Sequence, residues 1–371
     1  MDSPSSRTRL RPEPGSFRPR ATQRDVARKA GVTQATVSMA LRNHPEVSAE
    51  TCVRVQAVAA ELGYMPDPFL SGLSAYRKQV KPARYHATLA WLSNDERGTG
   101  WKNAPAFVGY FEGASKRAAE LGYQVEEHSL QKSGMNPARM ERILLARNVS
   151  GLLLAPQPHP GARLEAFHFD SFSSVTFGYT LAAPQLHLVT LHQFRSMETV
   201  FRRLVAMGYR RPGLAIGIES DERADHNWSA AFWSEQRRLP EGDRVPPFTG
   251  QRIERKDFVK WFRRHRPDVV IAVWHSVHTW LVEEGVCVPE DAGVALLTVP
   301  DEGKLFSGIW ENPHVIGAKA VEFLIDLIQR NERGVPEVPL CMLVAGTWVE
   351  GKTVRRQGGG HIINPSGTDA R

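Results

Sequence analysis

Residues 26–55 read VARKAGVTQATVSMALRNHPEVSAETCVRV, and the spacing of apolar residues in this stretch decides how the first part of the chain folds. Val26, Ala27 and Ala30 share one face of a helix that Thr22 can cap and Gly31 stops. Thr33 caps a second, shorter helix running to about Leu41, with Val37 and Leu41 four residues apart on its buried side. A loop from Arg42 to Val47 holds a proline. Ser48 then opens a third helix with Val55, Val58, Ala59 and Leu62 inward and Gly63 at its end. This pattern predicts a compact all-α helix-turn-helix unit. The second helix leaves Gln34, Ala35, Ser38 and Met39 outward, residues short or polar enough to reach base edges in a major groove. Gln34 can pair bidentately with adenine, whereas Ala35 and Met39 offer apolar contact to a thymine methyl. The hydroxyls of Thr33, Thr36 and Ser38 suit phosphate oxygens, and Thr22 and Arg42 flank the same surface.

The distribution of charge points to the same partner. The chain of 371 residues carries a net charge of +7, with 47 Lys and Arg against 40 Asp and Glu. Residues 1–84 hold 14 of the basic and 7 of the acidic residues, which leaves 33 of each sign in the rest. A local basic excess is the footprint of a phosphate-binding module, because each neutralised phosphate releases condensed counterions. The other reading of the Arg-rich start is a solubilising tail.

The remaining sequence divides by composition. Residues 1–21, rich in Pro, Ser and Arg, read as a disordered basic arm, and residues 22–65 as the DNA-binding domain. Residues 66–84 form a hinge and linker, in which Asp67 and Pro68 can start a helix of one or two turns bearing Leu70 and Leu73. So short a helix is marginal alone in water and needs a partner to form. From residue 85 to 354, apolar strand segments alternate with amphipathic helices. The strand segments are Ala87–Leu92, Gln124–Glu127, Gly151–Ala155, Ser174–Phe177, Gly213–Ile216, Val269–Val273 and Val294–Thr298. The alternation predicts an α/β domain of two doubly wound parallel subdomains with a ligand cleft between them. Residues 355–371 read as a flexible Gly-rich tail.

The segment DVARKAGVTQATVSMALRNHPEVSAET, then VAAELGYMP and the hinge through Leu73, resembles the lactose-repressor/galactose-repressor family of bacterial transcription regulators. The resemblance implies a hinge helix that folds on operator DNA, with Leu73 wedged between bases of the minor groove to kink the duplex. It also implies a homodimer reading a pseudo-palindromic double-stranded operator, and a C-terminal domain like a periplasmic sugar-binding protein. Framework stretches at 206–212 and 288–294 agree with that domain, but the family's ligand-reading positions depart from its pattern. His192-Gln193 stands where Asp-Asn is usual, Trp228 where an Arg clamps hydroxyls, Trp274-His275 where Asn-Asp is usual, and Leu297-Thr298-Val299 where Phe-Asp-Asp is usual.

Two readings of the cleft follow. It can take an unusual carbohydrate-like effector on aromatic faces (Phe107, Trp228, Trp274, with Trp101 beside them), using Asp95, His192, His275 and Thr298 for polar contacts. Or it has lost its effector and serves for dimerisation. A cytoplasmic small-molecule-binding protein is the competing reading from another class, and it leaves the basic helix-turn-helix unexplained.

No cofactor or metal is expected. His275 and His278 have no carboxylate or thiolate to complete a metal site, and Cys52, Cys287 and Cys341 are too scattered for a disulfide framework. No phosphate-cradling loop follows a strand, so an enzyme is not expected. The start of the chain has no apolar core of the kind a signal peptide needs, and no stretch is long and apolar enough to span a membrane. The expected location is the cytoplasm, at the nucleoid.

Overall fold

The computed structural model describes residues 22–41, 43–44, 46–62, 64, 87–95, 100–248, 250–300 and 305–357. The expectations for the arm 1–21, for Arg42, for Leu70 and Leu73 with the rest of the hinge, and for the tail beyond 357 lie outside these residues. The chain divides into two compact units, Met1–Pro82 and Ala83–Arg371.

The described part of the first unit is α1 (Gln23–Ala30), α2 (Gln34–Ala40) and α3 (Ala49–Glu61). Each start is fixed by a side-chain cap. Thr22 and Asp25 form a reciprocal capping box, in which the Thr22 N–H donates to Asp25 Oδ2 at 2.9 Å. Thr33 Oγ1 accepts from the Thr36 N–H at 3.1 Å, and Ser48 Oγ from the Thr51 N–H at 3.3 Å. Between α1 and α2 the chain reverses at Gly31, whose φ of +68° would strain any residue with a Cβ. Val26, Ala27, Ala30, Val37, Ala40, Cys52, Val55 and Ala59 form one small core. Ala and Val predominate there, so the helix axes can come close together without large side chains to separate them.

The second unit has two sheets, each with helices on both faces. The first sheet runs β12-β7-β5-β3-β1-β2, all parallel, from Cys341–Val344, His187–Leu191, Ser173–Phe177, Val149–Leu154, Ala87–Ser93 and Tyr123–Ser129. The second runs β13-β11-β10-β9-β8, from Thr347–Val349, Ser307–Trp310, Gly293–Leu296, Val269–Ala272 and Pro212–Ala215. Only its edge strand β13 is antiparallel, so the expected doubly wound α/β architecture is present in both lobes. Two short strands, β4 (Ala162–Arg163) and β6 (Leu181–Ala183), pair separately.

Alternation along β1 shows why both faces need helices. Leu89 and Trp91 point to a core shared with α4 (Pro105–Glu120) and α11 (Pro313–Arg330), while Ala90 and Leu92 point to a core shared with α5 (Pro137–Ala146). In the second lobe, Leu214, Val269, Ile271 and Ala295 face α6 (Gln193–Ala206) and α8 (Asn227–Gln236). Ala215, Val270, Ala272 and Val294 face α9 (Arg255–His265) and α10 (Ser276–Glu283). The five-residue helix α7 (Ile218–Glu222) follows β8 directly. The chain passes between lobes three times: before α6, before α11, and between β12 and β13.

The lobe that begins with β1 is closed by α11, which returns from the second lobe and packs on α4. The two helices meet backbone to backbone. A Cβ on Gly113 would fall 2.2 Å from the His314 carbonyl oxygen, and one on Gly317 would fall 2.0 Å from that of Tyr110. Replacing Gly317 with Ala should therefore destabilise the chain by about 1–3 kcal/mol, although Ala favours an unobstructed helix by roughly 1 kcal/mol. Urea unfolding of the full chain reads this, and a raised midpoint for the variant would show that the helices are not in backbone contact.

Candidate nucleic-acid interface and interlobe cleft

On α2 the burial divides cleanly by helical position. Val37 and Ala40 are fully buried, Gln34 and Ala35 are exposed, and Thr36, Ser38 and Met39 lie half-buried beside them. The outward face is thus short and uncharged, which is compatible with amide and apolar contact to base edges. The hydroxyls of Thr33 and Thr36 stand 2.8 Å apart and share the cap of α2. Both remain at the helix N-terminus, where backbone N–H groups and the helix dipole favour an anion such as a phosphate. Thr22 is exposed one helix earlier, with its own side chain engaged by Asp25. From α3, Gln56 Nε2 donates to the Ala40 carbonyl at 3.3 Å and to Asn43 Oδ1 at 2.8 Å, which fixes the end of α2. Lys29 pairs with Glu61 at 2.6 Å across α1 and α3.

The described residues of this unit carry Arg24, Arg28, Lys29 and Arg54 against Asp25, Glu46, Glu50 and Glu61. That balance is zero. The whole excess of the first 84 residues is carried in sequence by five Arg of the arm, Arg42, and Arg77, Lys78, Lys81 and Arg84, against three acidic residues.

In the second unit the carboxyl ends of β1, β3, β5 and β7 in one lobe and of β8 to β11 in the other define the cleft, the edge at which α/β sheets bind ligands. Arg223, just after α7, spans it. Its Nη1 donates to the carbonyl oxygens of Gln157 and Pro158 at 3.2 and 2.9 Å, and its guanidinium lies over the Phe107 ring at 5.9 Å. Burial pulls its pKa below the ordinary arginine value. Nearby, Tyr110 of α4 donates its hydroxyl to Glu311 Oε2 at 3.3 Å, joining the first lobe to the end of β11. Tyr110 also stacks on Phe177 at 5.4 Å. The Glu311 carboxyl is crowded by protein, and this desolvation pushes its pKa up to about 7, against a smaller downward pull from the Tyr110 hydrogen bond. Burial raises the Tyr110 phenol well above its usual value, so it remains a donor.

The residues singled out from sequence are dispersed around this geometry. Phe107 lies within it, under Arg223. Asp95 Oδ1 accepts from the Gly100 N–H at 2.7 Å and so ties the chain after β1 to the start of the next described segment. Trp101 is drawn into an aromatic cluster, 5.3 Å from Trp91 and 5.0 Å from Phe111. His192 caps α6, accepting from the Arg195 N–H at 3.5 Å. Trp228 is 7% exposed and packs in the second lobe's core, its indole N–H without a partner among the described residues. Trp274 is 52% exposed and donates to Ser220 Oγ at 3.3 Å. His275 is exposed near Phe306 at 6.0 Å, and Thr298 is half-buried just after β10.

Arg223, Tyr110, Glu311 and Gln157 were not singled out. One signal was available for Glu311: it directly follows the apolar run Ser307–Trp310, and a charged residue at the carboxyl end of a strand marks a candidate site. Arg223 sits in the charged string ESDER, which by itself reads as a solvated surface.

Residues 22–67 match the family described as "Bacterial regulatory proteins, lacI family". The chain is 28% identical over 194 residues to the HTH-type transcriptional regulator PtxS of Pseudomonas plecoglossicida, covering 52% of this chain and 53% of that protein. It is 29% identical over 209 residues to the HTH-type transcriptional repressor CytR of Escherichia coli, covering 54% of each. The chain thus spans about half the length of the curated relatives it matches. Among solved structures, the lac repressor dimer bound to operator and the anti-inducer ONPF aligns with a TM-score of 0.51 at 18% identity, over 90% of this chain and 99% of that one. The complex of the transcriptional regulator CelR with cellobiose aligns with a TM-score of 0.50 at 20% identity, over 91% of this chain and 100% of that one. These two establish a shared fold. The likeness to the lacI family of bacterial regulatory proteins is thus shown for residues 22–67, and the likeness of the rest is one of fold.

Proposed function

We propose that the chain is a sequence-specific DNA-binding transcriptional regulator, most simply a repressor, whose two-lobed unit senses a small molecule. The observation that carries this reading is the outward face of α2: exposed Gln34 and Ala35 on a helix capped by Thr33 and held by α3. CytR is named a repressor, and the lac repressor structure is a dimer on operator with a small molecule bound. By that likeness the chain acts at the nucleoid as a homodimer on a pseudo-palindromic operator, and we assign it no catalysis. A carbohydrate-like effector is the simplest ligand class that the CelR–cellobiose likeness suggests. Ligand would shift operator affinity by its differential affinity for two arrangements of the lobes.

Selection of binding sites from a random duplex library by the full chain tests this directly. A pseudo-palindromic consensus is expected at physiological salt, and uniform weak affinity for all sequences would overturn the reading. Gln34→Ala should relax preference at one base pair per half-site, costing about 1–3 kcal/mol of discrimination. Arg24→Gln should leave the consensus intact and lower the salt slope by about one. For the hinge, Leu73→Ala should weaken operator binding and reduce the bend seen by electrophoretic phasing, while leaving the oligomeric state unchanged. Unaltered bending would remove Leu73 as the wedge.

A further inference from the structure

Glu311 is a carboxylate at the carboxyl end of β11, packed between the lobes, and its one hydrogen bond among the described residues comes from the neutral Tyr110 hydroxyl at 3.3 Å. No cation pairs with it among those residues, although a carboxylate taken out of water ordinarily requires one. On the other side of Tyr110, the chain's own guanidinium from Arg223 rests on the face of Phe107 and donates to two backbone carbonyls. A ring face, a pair of carbonyl oxygens and a nearby carboxylate are the groups that recognise a cation with N–H donors. The two groups come from different elements and flank Tyr110, whose phenol feels the charge of both Glu311 and Arg223.

We propose that the interlobe cleft takes a small ligand bearing a protonated nitrogen, an amine or guanidine, which pairs with Glu311 and replaces the Arg223 guanidinium over Phe107. The proposal rests on the effector-sensing reading above and names the ligand class of that same cleft. Arg223 is then an internal competitor. While it bridges the lobes through Gln157 and Pro158, the cation's place over the ring is filled. An incoming ligand releases it and alters how the lobes meet.

The carboxylate also has a signature that needs no ligand. Its pKa is raised, so ionisation costs stability; the cost is absent below the ordinary carboxylate range and fully present above about 7. The groups facing it are Tyr110 from α4 and, beyond Tyr110, Arg223; in the following helix His314 is held by Glu112 at 3.1 Å. Glu311→Gln should therefore match the parent in thermal stability near pH 4, exceed it increasingly up to about pH 7, and keep a constant margin above that. A difference independent of pH would place the carboxylate in water and overturn the proposal.

The binding experiment uses the full chain and the Glu311→Gln and Arg223→Ala variants in thermal-shift and calorimetric titrations. The probes are glucosamine, agmatine and putrescine as cations, glucose and cellobiose as neutral compounds, and gluconate as an anion. At least one cation is expected to bind; Glu311→Gln should weaken it at least tenfold, and Arg223→Ala should tighten it. Binding only of neutral or anionic probes, binding unaffected by Glu311→Gln, or binding of none overturns the proposal. In the first two cases, a probe that also shifts affinity for the selected operator leaves the sensing reading standing. In the last, operator selection still reports on DNA recognition separately.

Discussion

The contact on which the two-lobed unit depends is the crossing of α4 and α11 at glycine. With Gly113 against the His314 carbonyl and Gly317 against that of Tyr110, the helix backbones touch where side chains would normally hold them apart. Helices usually pack 8–10 Å apart, at a distance set by the side chains between them. Removing those side chains lets α11 lie close enough for Ile316, Ala320, Val321 and Leu324 to share a core with Leu89, Trp91, Leu153 and Val175. Since α11 arrives from the other lobe, one steric condition both completes the first lobe's core and fixes the end of β11 beside α4. The approach of Glu311 to Tyr110 follows from it.

The same economy appears at the passages between lobes, which bond to one another. The His192 N–H donates to the Val344 carbonyl at 2.8 Å, joining the first passage to the third. Asn312 Nδ2 donates to the Ala345 carbonyl at 3.1 Å and to Thr347 Oγ1 at 3.0 Å, joining the second to the third. Gly346 lies so close to Ile309 that a Cβ would meet its Cγ2 at 2.3 Å. Three connectors bound side by side resist shear and leave rotation about their common line as the soft motion, which is hinge closure. The bonds of Arg223 to Gln157 and Pro158 also join the two lobes, outside these connectors.

Most of the framework was legible because it is written locally. The caps at Thr22, Thr33 and Ser48 and the stop at Gly31 are signals of a few residues, and the strands around Leu89, Leu152, Ile271 and Ala295 are apolar runs bounded by turns. Strands β4, β6, β7, β11, β12 and β13 are not among the expected segments. His187–Leu191 contains a His and a Thr, and β12 alternates exposed with half-buried residues at a sheet edge, so neither reads as a buried run. The packing of α11 on the first lobe involves the glycine crossing and that of β12 its ladder with β7, long-range conditions that no local pattern carries. The cleft was least legible for a related reason. Trp228 and His192 were chosen by position in a family pattern, whereas one packs in a core and the other caps a helix. Arg223 and Glu311 gain their meaning only from residues 66 and 201 positions away, Gln157 and Tyr110.

The electrostatics of the first unit separate two tasks that a single basic helix would merge. The described three-helix body is neutral overall, and the base-facing side of α2 bears no charge. A cation that reaches only phosphates adds affinity for any duplex, since phosphate attraction is indifferent to sequence. Placing the cationic excess in the sequence on either side of the body lets general affinity be set by the flanks. On the proposed reading, discrimination is left to Gln34, Ala35, Ser38 and Met39, whose contacts would depend on base edges and lapse where the base is wrong. The ratio of specific to non-specific binding is therefore governed by a face that contributes little to the latter. If the chain regulates as proposed, a modest loss of discrimination would suffice for release where competing sites are many.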